Sequence, residues 1–160
     1  MKCILSLLLF GLFIASCSNK DDGIDCSLFD PAFPELNIRI TDEAGNNLIE
    51  NGTIDPDSIT VTGDFSGAGF RYIPAIDYVS PDAEIRAFDH TLSLYIPRES
   101  EFQYTINLKD YEAINIDFTA TFIKIPCDLS YYIPSEAFYN NEKLELQEIS
   151  PLQFLVIIGL

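Results

Sequence analysis

The chain holds one histidine, His90, in Phe88-Asp89-His90-Thr91, and four cysteines at positions 3, 17, 26 and 127. Nucleophilic catalysis needs a thiol or hydroxyl beside a positioned base, and Cys127 with His90 is the pair on offer. Neither setting suits it. His90 lies between two predicted strands and reads as a turn residue, while Cys127 follows Pro126 at a strand end, where half of a disulfide is the better reading. Paired carboxylates occur at Asp55/Asp57, Asp82/Glu84 and Glu99/Glu101. Glycoside hydrolysis requires two carboxyls about 5 to 10 Å apart across a sugar cleft. All three pairs fall in predicted loops beside prolines or serines, as solvated turn residues do.

The same carboxylates are of the type that binds calcium, but the spacing of an EF-hand loop is missing, and zinc needs Cys and His groups that the chain lacks. Ser66-Gly67-Ala68-Gly69 is not followed by the lysine and helix of a phosphate loop. The expectation is a non-enzymatic protein with no catalytic residues, no metal and no cofactor.

Binding chemistry is better represented. Tyr131-Tyr132 and Phe138-Tyr139 cluster after Cys127, and tyrosine faces serve either to pack a core edge or to stack on a sugar or protein partner. There is no tryptophan, and 25 acidic residues against 9 basic ones give a net charge of −16. Nucleic acid is excluded as a partner, because a polyanion requires a basic stripe. Arg39, Arg71, Arg86 and Arg98 are instead scattered singly along the sequence.

These residues have to be carried by a chain that first reads as exported. Lys2, the apolar run Ile4 to Ile14 and the small pair Ala15-Ser16 form the three parts of an export signal. At about 1.5 Å per residue, Ile4 to Ser16 would reach only about 20 Å as a helix, against a hydrocarbon core of about 30 Å. Ile14-Ala15-Ser16-Cys17 resembles the lipobox of bacterial lipoproteins. That resemblance implies cleavage before Cys17 and acylation of Cys17, with several acyl chains making release from the membrane slow. Ser18-Asn19-Lys20-Asp21-Asp22 resembles the acidic signal that sends Bacteroidota lipoproteins to the outer face of the outer membrane, with Lys20, Asp21 and Asp22 one residue late; a periplasm-facing location, with this segment a plain polar tether, is the alternative. Asp57-Ser58-Ile59 resembles the short O-glycosylation acceptor of the same phylum, which makes Ser58 a candidate for modification.

Processing removes Cys3 and uses Cys17, leaving Cys26 and Cys127 either to pair or to stand as separate thiols. A bridge between them would close about 100 residues and stabilise the fold by up to about 4.7 kcal/mol in the chain-entropy model. Removal of residues 1–16 from 160 leaves 144, enough for one domain with a real core. The expected organisation is a signal peptide over 1–16, an acidic tether over 17–33 and one domain over 34–160.

Within that domain the side-chain period is two. Leu36, Ile38 and Ile40 alternate with polar residues, as do Ile59 and Val61, the run Phe102 to Leu108, and the longest row, Ile114 to Phe122. Phe70 to Ile73, Glu84 to Phe88, Thr91 to Ile96, Leu144 to Ile149 and Gln153 to Ile158 read as further strands, and Ser135 to Tyr139 as one helical turn. Eight or nine short strands point to an all-β, single antiparallel sandwich of immunoglobulin-like or transthyretin-like type. The stretch Leu36 to Leu48, with its Asp-x-x-Gly turn, resembles the first hairpin of small Bacteroidota lipoproteins and of transthyretin-like β domains.

The composite expectation is a monomeric, lipid-anchored outer-membrane protein with a protein or glycan partner. The continuous apolar run Phe154 to Ile158 leaves a second possibility, a subunit that donates its last strand to a surface pilus or envelope complex.

Overall fold

The computed structural model of the protein describes residues 23–160, so the expected signal peptide, Cys17, Lys20, Asp21 and Asp22 lie outside the described residues. The described residues fall into two units, 23–30 and Pro31–Leu160. In the first, the Asp25 carboxylate accepts hydrogen bonds from the Ser27 hydroxyl at 2.7 Å and the Ser27 amide at 3.0 Å. Those two bonds favour its charged form and hold its pKa below the usual carboxylate range.

The second unit is a β-sandwich of ten strands: β1 Glu35–Thr41, β2 Thr60–Gly63, β3 Phe70–Ile73, β4 Thr91–Leu94, β5 Glu101–Asn107, β6 Ile114–Lys124, β7 Ser130–Tyr139, β8 Glu142–Leu144, β9 Leu146–Ser150 and β10 Gln153–Gly159. One sheet has the order β3-β4-β1-β10-β9 and the other β2-β5-β6-β7-β8. All pairings are antiparallel except one, since the first and last strands, β1 and β10, run parallel from Glu35↔Gln153 to Thr41↔Gly159. The alternation read in the sequence lines one shared core: Leu36, Ile38 and Ile40 from β1 pack with Phe102, Tyr104 and Ile106 from β5 and with Ile114, Ile116 and Phe118 from β6.

Turn chemistry sets the registers. Asn140 and Asn141 both have positive φ, 52° and 63°, as a two-residue hairpin between β7 and β8 demands, and asparagine tolerates that region. After β1, Asp42 accepts from the amide and the side chain of Asn46, both at 2.8 Å, and Gly45 supplies φ 85°. Gly63 is required for a different reason: a Cβ there would lie 2.9 Å from the Gln103 carbonyl oxygen and from the Ala68 Cβ.

Three local expectations are corrected. Glu84–Phe88 is a 3-10 helix within the long β3–β4 connection, not a strand. Ser135 to Tyr139 belongs to β7, not to a helical turn. A register shift puts Thr119 opposite Glu136 and Ala120 opposite Pro134, so Ser135 is an extra residue that brings both Pro134 and Ala137 inward and breaks the period of two. The strand expected over Leu144 to Ile149 is two strands, because the chain changes sheets at Glu145.

The apolar run at the C-terminus is housed in its own fold. β10 lies between β1 and β9, with Phe154, Leu155, Val156 and Ile158 buried.

Candidate functional site

Register places a row of residues across the outer face of the first sheet: Arg71 opposite Ser93, Ser93 opposite Asn37, Asn37 opposite Leu155, and Leu155 opposite Gln147. Polar or not, the middle of this row is buried, with Asn37 at 2% and Leu155 at 2% exposure. Toward the Thr41 end of β1 the β3–β4 connection bonds onto this sheet: Arg39 donates to the Ala87 carbonyl at 2.6 Å, and Thr91 donates from its hydroxyl to the Phe88 carbonyl at 2.7 Å.

The connection is itself cross-tied by Arg86. Its guanidinium donates to the Ile76 carbonyl at 2.9 Å and pairs with Asp89 at 3.0 Å, while Asp89 accepts from the Ile76 amide. Beside it, Asn47 donates to the His90 carbonyl, and the Tyr72 hydroxyl lies 2.6 Å from His90 Nδ1. Burial and the charges of Asp89 and Glu50 push the Tyr72 phenol's pKa up. A hollow of about 580 Å³ lies here, lined by Arg39, Asn46, Asn47, Glu50, Arg86 and Asp89. Most of its polar groups are already bonded to one another or to backbone, and their arrangement holds the connection in place.

At the Glu35 end the arrangement differs. A cleft of about 330 Å³ opens between segments that enter or leave three strands: Phe33 and Glu35 before and at the start of β1, Tyr95 to Arg98 after β4, and Ser130 to Tyr132 at the start of β7. Sequence explains the openness. Pro34 and Pro97 lack amide hydrogens and keep the chain extended on either side of the cleft. Phe33 and Tyr95 are 52% and 54% exposed. Phe33 meets Tyr131 edge-on with ring centroids 6.0 Å apart.

Tyr95 is held from within the sandwich. The buried Tyr104 of β5 donates its hydroxyl to the Tyr95 carbonyl at 2.6 Å, crossing from one sheet to the other. Burial pushes the Tyr104 phenol's pKa well up. Phe65 packs edge-on to Tyr104 and Phe102 and also meets the Tyr95 ring at 6.4 Å. A second, shallower hollow on the other side of Tyr95 is lined by Gly67, Gly69, Phe70 and Arg71, and it shares Leu94 and Tyr95 with the cleft. Arg71 and Arg98 are exposed, and neither has a hydrogen-bond or ion-pair partner among the described residues.

The arginines that are scattered in sequence are therefore grouped in space, two to the covered end and two around Tyr95. Sequence reading singled out Tyr131 and Tyr132, which do line the cleft, but not Phe33, Tyr95, Arg71 or Arg98. The other candidates lie elsewhere. Ser58 ends a short 3-10 helix capped by Asp55, is half-buried, and donates to the Asp55 carbonyl at 2.7 Å. Cys26 and Cys127 are each disulfide-bonded, and Cys127 sits with φ 65° at the tip of the β6–β7 hairpin. His90 precedes β4, whereas Ser130, three residues past Cys127, lines a cleft at the far end of that strand. The four residues of β4 span about 13 Å, so the Cys127/His90 pair does not meet. Asp55/Asp57, Asp82/Glu84 and Glu99/Glu101 remain in turns or at element ends, and among the described residues no group of three His, Cys, Asp or Glu is placed to hold a metal.

No protein-family model matches the chain, and no curated protein or solved structure shows significant similarity to it.

Proposed function

We propose that this is a lipid-anchored cell-envelope protein whose β-sandwich has a non-catalytic role, binding a sugar or protein partner in the cleft where the chain enters the domain. The observation that carries the reading is the cleft itself: exposed aromatic rings beside an arginine that no carboxylate engages. Its volume falls at the lower end of the range of about 300 to 1,000 Å³ usual for small-ligand sites. The more voluminous hollow at the covered end is less suited, because its arginines already serve the fold.

The location rests on the sequence. Ile14-Ala15-Ser16-Cys17 gives the lipid site and Lys20-Asp21-Asp22 the address at the outer membrane's outer face, as in small Bacteroidota lipoproteins, with a periplasm-facing position as the alternative. Pairing of Cys26 with Cys127, the two cysteines that processing leaves, is part of the same reading. Labelling cells with radioactive palmitate tests the anchor: the parent chain takes up label and Cys17→Ala does not. Equal labelling of the two would contradict it.

A second reading, exchange of β10 between copies, draws on the turn that leads into that strand. Pro151-Leu152 joins β9 to β10, and Leu152 has φ 64°, a strained position for a residue with a β-carbon, which opening of the turn would relieve. Size-exclusion chromatography separates the readings, since a single monomer peak at all loading concentrations removes exchange.

A further inference from the structure

Four arginines stand in a chain of net charge −16; Arg86 pairs with Asp89 and Arg39 bonds to the Ala87 carbonyl, while Arg71 and Arg98, in two hollows that share Tyr95, engage nothing among the described residues. An acidic protein has carboxylates to spare for neutralising surface cations. Lys124 pairs with Asp128, Lys143 with Glu136, and Arg86 with Asp89, whereas Lys109, like Arg71 and Arg98, has no ion pair among the described residues. Arg98 is followed directly by Glu99 and shares its cleft with Glu35, yet neither carboxylate engages it.

We propose that Arg71 and Arg98 make the Tyr95 site selective for an acidic sugar, a saccharide of one or two rings bearing a carboxylate or sulfate. The proposal rests on the cleft being the binding site, and adds the class of ligand. A sugar ring lays its C–H face on an exposed aromatic face, here that of Tyr95 or Phe33, while a guanidinium presents paired donors that match a carboxylate or sulfate edge. A volume of about 330 Å³ accommodates one or two rings and not an extended polymer.

Charge separates the ligand classes further. The negative field of the whole protein repels a densely charged polyanion at long range, but within a Debye length of about 8 Å an anionic group responds to the guanidinium nearest it, Arg98 in the cleft or Arg71 in the hollow that shares Tyr95. An acidic peptide is the rival occupant, and the fold disfavours it. Peptide capture by strand addition would use one of two edges beside the site: that of β3, which is only four residues long, or the part of β7 that β8 leaves uncovered, from Ser130 to Glu136. On β7, Pro134 removes a donor from the edge and the bulge at Ser135 breaks its register.

Calorimetric titration of the full chain tests this, with three probes: a disaccharide ending in glucuronate, its neutral glucose counterpart, and hexaglutamate. The glucuronate disaccharide should bind at least tenfold more tightly than the neutral one. Arg98→Gln and Arg71→Gln should each weaken it at least threefold and leave the neutral sugar unchanged, and the double variant should bring the two sugars within twofold. Tyr95→Ala should weaken both sugars alike. Equal affinity for the two sugars, or a preference that survives in the double variant, would overturn the acidic selectivity while leaving the cleft as a sugar site if Tyr95→Ala still acts. Absence of binding by either sugar would overturn the acidic-sugar assignment, and binding of hexaglutamate in its place would replace the sugar with a peptide in the same cleft. Absence of binding by all three probes would overturn the cleft reading as well.

Discussion

Along the outer face of the first sheet, arginine does two different things. Toward the Thr41 end, Arg39 and Arg86 give their guanidinium donors to the carbonyls of Ala87 and Ile76, and Arg86 also pairs with Asp89, whose side chain is 10% exposed. Toward the Glu35 end, Arg71 and Arg98 are exposed and engage nothing among the described residues. The residue type is the same and so is the acidic background. What differs is whether a loop has folded over the sheet, and the contrast separates the half that holds the fold from the half open to a ligand.

The largest effect should come from breaking the covered half. Arg86→Ala leaves Asp89 without its cation and the Ile76 carbonyl without its side-chain donor, and hydrogen bonds to charged groups contribute about 1.5 to 3 kcal/mol each. A loss of about 2 to 3 kcal/mol is expected in urea unfolding, and a midpoint within error of the parent would show that the tie is ornamental.

The support beneath the open half should matter somewhat less. Tyr104→Phe removes the bond to the Tyr95 carbonyl and should destabilise by about 1 kcal/mol. Because burial raises the folded-state pKa of this phenol above its unfolded value near 10, the folded state keeps the proton longer. Its contribution is present in full below about pH 10 and is lost as pH rises beyond that value. Stability of Tyr104→Phe should therefore fall less steeply than the parent's above about pH 10, and parallel curves would count against the assignment.

Leu152 borders the same end through its carbonyl, which accepts from the Glu35 amide at 2.8 Å. With φ 64° it carries strain that glycine would lack, and left-handed backbone costs an L-residue about 1 to 2 kcal/mol. Leu152→Gly should raise stability by about 0.5 to 1 kcal/mol after the greater unfolded-state entropy of glycine is set against the relief. A lower melting temperature would mean that the leucine side chain contributes more than the turn conformation takes away. Smallest of all should be the stability effect of Arg71→Gln and Arg98→Gln, within about 0.5 kcal/mol of the parent, as for exposed groups without partners. Urea midpoints for these two beside Arg86→Ala sharpen the comparison, and a large drop in either would mean that the open half also holds the fold.

Much of the sandwich is written in local alternation. β1, β5 and β6 are legible because each lays one face on the core, so Leu36, Phe102 and Ile114 open rows of period two. β7 is not legible, because the bulge at Ser135 puts Pro134 and Ala137 on the same side and the period fails. Glu84–Phe88 misleads in the opposite way: Phe88 is buried while Ile85 is exposed, and the spacing of apolar residues in a 3-10 turn resembles that of a short strand. Of the candidate site, Tyr131 and Tyr132 stand out as a pair in the sequence. Arg71, Tyr95 and Arg98 do not, since only the pairing of β3 with β4 and the change of sheet after Pro97 bring them to one place.

The most direct measurement is a chemical-shift map of the isotopically labelled full chain titrated with the glucuronate disaccharide. Perturbations are expected at the Tyr95, Arg98, Ser130 and Arg71 amides, with Arg39, Arg86 and Asn47 unmoved. Shifts centred on Arg39 and Arg86 would instead place recognition in the covered half and contradict the division of the four arginines.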